Sequence, residues 1–164
     1  MELYLMRHGH AVSESFDPER PLSGIGRAQV ERLAAVLKAN RVVFDRIWHS
    51  AKLRARQTAE NLGQALVPGV VPEKKDGLKP NDPAGPLADL MGVTFSENPG
   101  LRLLIVSHIP LLPSLISFLT GTDSPGKIPS FPEAGMAFLK PDHSGLWRLQ
   151  WIADPDMRNL QKIS

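Results

Sequence analysis

A chain of 164 residues with 42% hydrophobic side chains can remove roughly 70% of its extended-chain surface from water without a metal or a disulfide to staple it. The absence of Cys excludes thiol nucleophiles, thiolate metal sites and disulfide frameworks, and agrees with a reducing compartment. A net charge of +2, spread over interleaved Lys, Arg, Asp and Glu, argues against nucleic acid as a partner, which would call for a basic block.

The first residues, Met1-Glu2-Leu3-Tyr4-Leu5-Met6-Arg7, lack the basic and apolar stretches of a secretion signal, and no apolar run approaches the ~20 residues of a membrane span. One cytoplasmic domain over residues 1–164, with no membrane partner, is the expectation. Residues 3–6 predict a buried strand that delivers Arg7-His8-Gly9 at its C-terminal end. Ser23 predicts the cap of a helix over 24–40, with Ile25, Val30, Leu33, Ala34 and Leu37 on its inner face. A second strand over 44–49 and a second helix over 51–65 follow, the latter with Leu53, Ala59, Leu62 and Leu66 inward. Prolines and glycines punctuate 67–86, leaving a short strand at 70–71 and a modest helix over 86–91. Residues 101–106 carry the strongest strand pattern and run into Ser107-His108-Ile109-Pro110. After them 111–119 is apolar enough for a buried helix, with Pro110 in its first turn. A proline-rich loop over 121–135 leads to a closing hairpin, 136–139 and 147–152, around Asp142-His143-Ser144-Gly145.

Strands alternating with helices imply an α/β fold: a mostly parallel central sheet, helices on both faces, and an antiparallel edge from the C-terminal hairpin. Ligands of such sheets bind outside the carboxyl ends of the strands. Three predicted strands end in polar groups there: Arg7-His8, His49-Ser50 with Arg54 one turn on, and Ser107-His108.

Two arginines and two histidines on one spot make a pocket for a dianion, because guanidinium forks match phosphate oxygens and imidazole adds a donor or a nucleophile. The first amides of the helix after His108, such as that of Ile109, can also point at an anion. A phosphate, sulfate, tungstate or vanadate ion is therefore expected against Arg7, His8, Arg54 and His108. His8 is the candidate nucleophile, with Gly9 leaving space for a close approach to phosphorus. Such a histidine must be neutral at the attacking nitrogen, and a backbone carbonyl on the other ring nitrogen would fix that tautomer. Arg7, Arg54 and His108 would neutralise the equatorial oxygens without Mg²⁺ or any other cofactor.

Four motifs in order carry a family resemblance: Leu5-Met6-Arg7-His8-Gly9, Arg20-Pro21-Leu22-Ser23, Ser50-Ala51-Lys52-Leu53-Arg54-Ala55-Arg56-Gln57-Thr58 and Val106-Ser107-His108-Ile109-Pro110. The chain resembles the histidine phosphatase superfamily, and its length and its ending are closer to the short bacterial phosphohistidine phosphatases than to the phosphoglycerate mutases. The resemblance implies a phosphoglycerate-mutase-like fold, a phosphoenzyme at His8 and phosphate binding by Arg7, Arg54 and His108. It also implies a phosphorylated histidine-containing protein as partner, such as a phosphorelay or phosphotransfer protein, and inorganic phosphate as product.

The chain departs from the family pattern at His10, where a carboxylate is frequent, and at Ala51, where Pro is usual. It also shows no clear counterpart of the glutamate acid of the mutases and sugar phosphatases; Asp76 and Asp82 lie in the corresponding stretch. Phosphohistidine needs that acid least, since imidazole, with a pKa near ~6.5, leaves far more readily than a sugar alkoxide.

Other readings compete. A small-molecule phosphomonoesterase of the same superfamily would need the acid. A non-catalytic phosphate-recognition module would have no need of His8. A zinc centre from His8, His10, His49 and His108 would set a dication among arginines. His10 and His49 are read as supporting or surface groups, His143 as solvent-exposed, and Arg20-Pro21-Leu22-Ser23 as scaffold.

Overall fold

The computed structural model describes residues 1–122, 126, 128–129 and 131–158, together with the backbone of 161–162. In chain order the elements are β1 (Glu2–Arg7), α1 (Gly24–Ala39), β2 (Arg46–His49), α2 (Leu53–Leu66), β3 (Glu73–Lys74), α3 (Ala84–Glu97), β4 (Arg102–Ser107), α4 (Leu111–Thr120), β5 (Met136–Pro141), β6 (Trp147–Ala153) and β7 (Gln161–Lys162).

Along β1 the side chains alternate between two hydrophobic layers: Leu3 and Leu5 enter one, Tyr4 and Met6 the other. β4 repeats this, with Leu103 and Ile105 in the first layer and Leu104 and Val106 in the second. A strand covered on both faces needs no polar side, which is why these segments read as unbroken apolar runs. The first layer is closed by Leu87, Met91 and Phe95 of α3 and Leu112, Leu115 and Ile116 of α4. The second is closed by Val30, Leu33 and Leu37 of α1 and Ala55, Ala59 and Leu62 of α2. Each large aliphatic side chain among them contributes about 1.5–3 kcal/mol by leaving water.

The strands lie in the order β3-β2-β4-β1-β5-β6-β7. β3, β2, β4 and β1 run parallel, and β5 to β7 are antiparallel. Among the described residues no helix is long and apolar enough to cross a membrane.

Several expectations shift. Ile25 is exposed, because the first turn of α1 turns Gly26 inward instead: a Cβ there would lie 2.1 Å from the His10 carbonyl oxygen. Leu53 is only half-buried at the start of α2. The strand expected at 70–71 forms at Glu73–Lys74; the Val70 amide is taken by a turn to the Val67 carbonyl, and Val71 is exposed. A two-residue charged edge strand has no apolar pattern to betray it, and its register is set by its partner β2. α3 runs well past the expected 86–91, because burial of Met91, Thr94 and Phe95 on one face outweighs the ~1 kcal/mol helix penalty of Gly92. The C-terminal hairpin sits against β1 and carries β7 outside it, so the antiparallel end of the sheet closes on β7 and the parallel end on β3. The loop expected at 121–135 lies partly outside the described residues.

Candidate active site

Register places the strand ends level. Arg7 pairs with Ser107 across β1 and β4, and His49 pairs with Val106 across β2 and β4. The ladder runs one residue further on both sides, the His8 amide donating to the Ser107 carbonyl and the Ser50 amide to the Val106 carbonyl, each at 3.1 Å. Arg7-His8, Ser50 and His108 therefore leave the sheet together, and Arg54, buried in the first turn of α2, reaches them from beside β2.

The tautomer of His8 follows from its neighbours. Nδ1 lies 2.8 Å from the Gly9 carbonyl oxygen, which can only accept, so Nδ1 carries the proton. Arg54 Nε, which can only donate, lies 3.1 Å from Nε2, so the lone pair is on Nε2. Burial, with the positive charge of Arg54, Arg7 and Arg20 adding to it, pushes the His8 pKa down to about 4. Near neutral pH the ring is uncharged with Nε2 basic, the form a nitrogen nucleophile requires.

His108 faces His8 with ring centroids 5.0 Å apart. Its Nε2 is 2.9 Å from Ser50 Oγ, and a Ser50 hydroxyl that donates there leaves the ring proton on Nδ1. Burial and the nearby His8 and Arg54 push its pKa down to about 3. Among the described residues His108 Nδ1 and Arg7 Nε are buried nitrogens without a hydrogen-bond partner. An unpaired buried polar group costs about 1–3 kcal/mol, which an oxyanion accepting from both would relieve. Burial and the charge of Arg20 hold the Arg54 guanidinium below its ordinary pKa, a crowding of cations that a dianion would also offset.

The supporting residues include several that sequence reasoning left out. Thr58 Oγ1 accepts from the Gly9 amide at 3.1 Å and donates to the Arg54 carbonyl at 2.7 Å, tying the His8 loop to α2. The four-residue spacing of Arg54 and Thr58 put both on one helix face and was the available signal. Gln57 accepts from the Leu22 amide at 2.7 Å, fixing the 20–22 segment against the same helix. Arg20, set aside as scaffold, lines a cleft of about 240 Å³ with Glu14, Lys52 and Arg54, and its charge acts on both His8 and Arg54. The room that Gly9 leaves is filled by α1: a Cβ there would sit 3.0 Å from the Gly26 carbonyl oxygen.

Other histidines and acids are engaged elsewhere. His10 Nδ1 lies 2.7 Å from Ser23 Oγ, the cap of α1, and His49 Nδ1 lies 2.9 Å from the Ser50 carbonyl. Asp82 accepts from the Lys79 amide at 2.8 Å, and Asp76 is exposed in the turn after β3. His143 is exposed in the β5–β6 turn, and Ile109 is also largely exposed. Among the described residues no three His, Cys, Asp or Glu side chains converge as a metal site would need.

The depressed histidines carry a stability consequence. An unfolded histidine titrates near ~6.5, so as pH falls below that the unfolded chain takes up protons that the buried rings refuse. Stability is therefore lost between about 6.5 and the folded values, by about 2 kcal/mol per histidine at pH 5. Denaturation midpoints measured from about pH 7 to pH 5 are expected to fall, and to recover with added phosphate. His8 and His108 ring signals that titrated near ~6.5 would contradict the buried, neutral assignment.

The profile of the histidine phosphatase superfamily (branch 1) matches residues 3–80. Phosphohistidine phosphatase SixA of Escherichia coli (strain K12) is 31% identical over 161 residues, 94% of this chain and 94% of that protein. A solved structure of the protein histidine phosphatase SixA complexed with tungstate superposes with a TM-score of 0.83 at 30% identity, covering 94% of this chain and 97% of that one. A phosphoserine phosphatase from Entamoeba histolytica, at 18% identity and a TM-score of 0.76, covers 96% of this chain and 98% of that one and shares the fold.

Proposed function

Because the chain belongs to the histidine phosphatase superfamily, we propose that it hydrolyses phosphohistidine on another protein by way of a phosphohistidine formed at its own His8. The observation that carries this reading is the His8 ring, with Nδ1–H held by the Gly9 carbonyl and a basic Nε2 beside Arg54. In the first step Nε2 attacks phosphorus, and the bond from phosphorus to the substrate imidazole breaks with its electron pair on that nitrogen. Arg7, Arg54 and His108 hold the phosphoryl oxygens, with the Ile109 amide at the start of α4 as a further donor. Water then attacks the phosphoryl group, His8 Nε2 leaves with its electron pair, and inorganic phosphate departs.

In both steps the leaving group is an imidazole whose other nitrogen bears a proton, so it departs neutral and no strong acid is needed. A sugar alkoxide has no such route. Asp76 and Asp82, the acids that the sequence offered for that role, have no hydrogen bond or ion pair to the four residues. The partner we assign is a phosphorylated-histidine protein of the phosphotransfer kind, and no cofactor enters the cycle.

The experiment is a side-by-side assay of a phosphohistidine peptide and a sugar phosphate, with and without chelator. kcat/KM is expected to favour the peptide by at least about 100-fold, the size of a missing general-acid contribution, and to be insensitive to chelator. Comparable values would make the protein a broad phosphomonoesterase. Tight phosphate binding without turnover of either compound would make it a recognition module.

A further inference from the structure

Arg7 does not meet its ligand as a free cation. One terminal guanidinium nitrogen donates to the Phe131 carbonyl at 3.0 Å, and the other lies 3.6 Å from a Glu133 carboxylate oxygen. Among the described residues Glu133 is the only carboxylate in an ion pair with Arg7 or Arg54.

The turn that carries Glu133 is braced against the site on both sides. The Ala134 amide donates to the His8 carbonyl at 3.1 Å, and the Arg7 amide donates to the Gly135 carbonyl at 3.0 Å. Within the turn the Gly135 amide donates to the Pro132 carbonyl at 2.9 Å, and Ala134 takes a φ of 53°. Gly135 packs so closely on Pro132 that a Cβ would lie 2.7 Å from its Cγ. The backbone under Glu133 is therefore fixed relative to Arg7 and His8, while its side chain stays about one-third exposed at the rim.

For anion binding alone this carboxylate is a handicap, since it competes with phosphate oxygens for Arg7 and repels a dianion. Its position acquires a purpose if the substrate is also a donor. We infer that Glu133 is a specificity-determining residue that accepts a hydrogen bond from the distal ring N–H of the substrate phosphohistidine while Arg7 holds a phosphoryl oxygen. This rests on the phosphohistidine reading above and adds to it the residue that selects the leaving group.

The chemistry balances without a proton transfer to Glu133. The P–N bond of the substrate breaks, its electrons stay on the departing nitrogen, and the proton already on the distal nitrogen makes the product a neutral imidazole. A carboxylate on that N–H stabilises the protonated ring, the form that leaves readily, through a charge-assisted hydrogen bond. A phosphomonoester bearing its own carboxylate offers no such donor and meets repulsion instead.

The test compares wild type, Glu133→Gln and Glu133→Asp on a phosphohistidine peptide and on p-nitrophenyl phosphate, with inorganic phosphate affinity measured by calorimetry. In Glu133→Gln the ratio of the peptide kcat/KM to the aryl phosphate kcat/KM is expected to fall about 10-fold, the worth of one hydrogen bond to a charged group. Inorganic phosphate is expected to bind several-fold tighter to the same variant, because Arg7 has lost its counter-charge. Glu133→Asp should recover part of the ratio. Tighter phosphate with an unchanged ratio would reduce Glu133 to a screen for Arg7 and overturn the inference while leaving the phosphohistidine reading intact. A wild type active on the aryl phosphate and inert on the peptide would remove that reading and this inference together.

Discussion

His8→Ala is expected to lower turnover by at least about four orders of magnitude, because the remaining imidazole, His108, has its Nε2 against Ser50 Oγ and does not replace it as nucleophile. Binding should respond very differently. In the proposed cycle attraction for a dianion comes chiefly from the guanidinium charges of Arg7 and Arg54, with His108 adding a neutral donor, and all three remain. Vanadate or phosphate affinity is therefore expected to change by less than about 10-fold, since only one neutral contact is removed. Loss of a buried imidazole costs stability, yet His8 lies at the end of β1, outside both hydrophobic layers, so the fold should persist. Near-normal turnover in His8→Ala would overturn the mechanism and leave the fold untouched.

Arg54→Ala should lower kcat/KM by about 10²–10³, the usual loss when a preorganised donor to a developing oxyanion is removed. Two effects combine: the proposed cycle loses a cation that holds the phosphoryl group, and Nε2 of His8 loses the donor that lies 3.1 Å from it. Lys52→Ala is the matched control. Lys52 is exposed at the start of the same helix, so its charge is screened and its loss should lower kcat/KM by less than about fivefold. Steady-state kinetics of both variants on one substrate measure the contrast, and equal small effects would mean that α2 presents the wrong residue to the chemistry.

The sequence was most legible where local and global signals agree. β1 and β4 are apolar on both faces because helices cover both, and a parallel sheet then obliges their polar ends to meet. α1 announced itself through Ser23, whose hydroxyl accepts from the Gly26 amide. What stayed hidden depends on contacts distant in sequence. β3 exists because β2 offers it an edge, and Ile25 is outside because Gly26 must touch His10. Helical spacing puts Thr58 on the face of Arg54, but no periodicity reports that its hydroxyl meets the Gly9 amide or that the Ser50 hydroxyl meets His108. Glu133 was invisible for a related reason: it lies in a loop, 126 residues from Arg7 along the chain, and only the folded turn brings their charges together.

The account stands on a phosphoryl group passing through His8. Wild-type protein mixed with a phosphohistidine peptide labelled in its phosphate, quenched with alkali during turnover and digested, should yield the label on the peptide containing His8. The bond should survive alkali and be lost in mild acid, as a P–N bond is and a phosphoserine or acyl phosphate is not. Label on any other residue, or steady turnover with no label on His8 at any quench time, would contradict it.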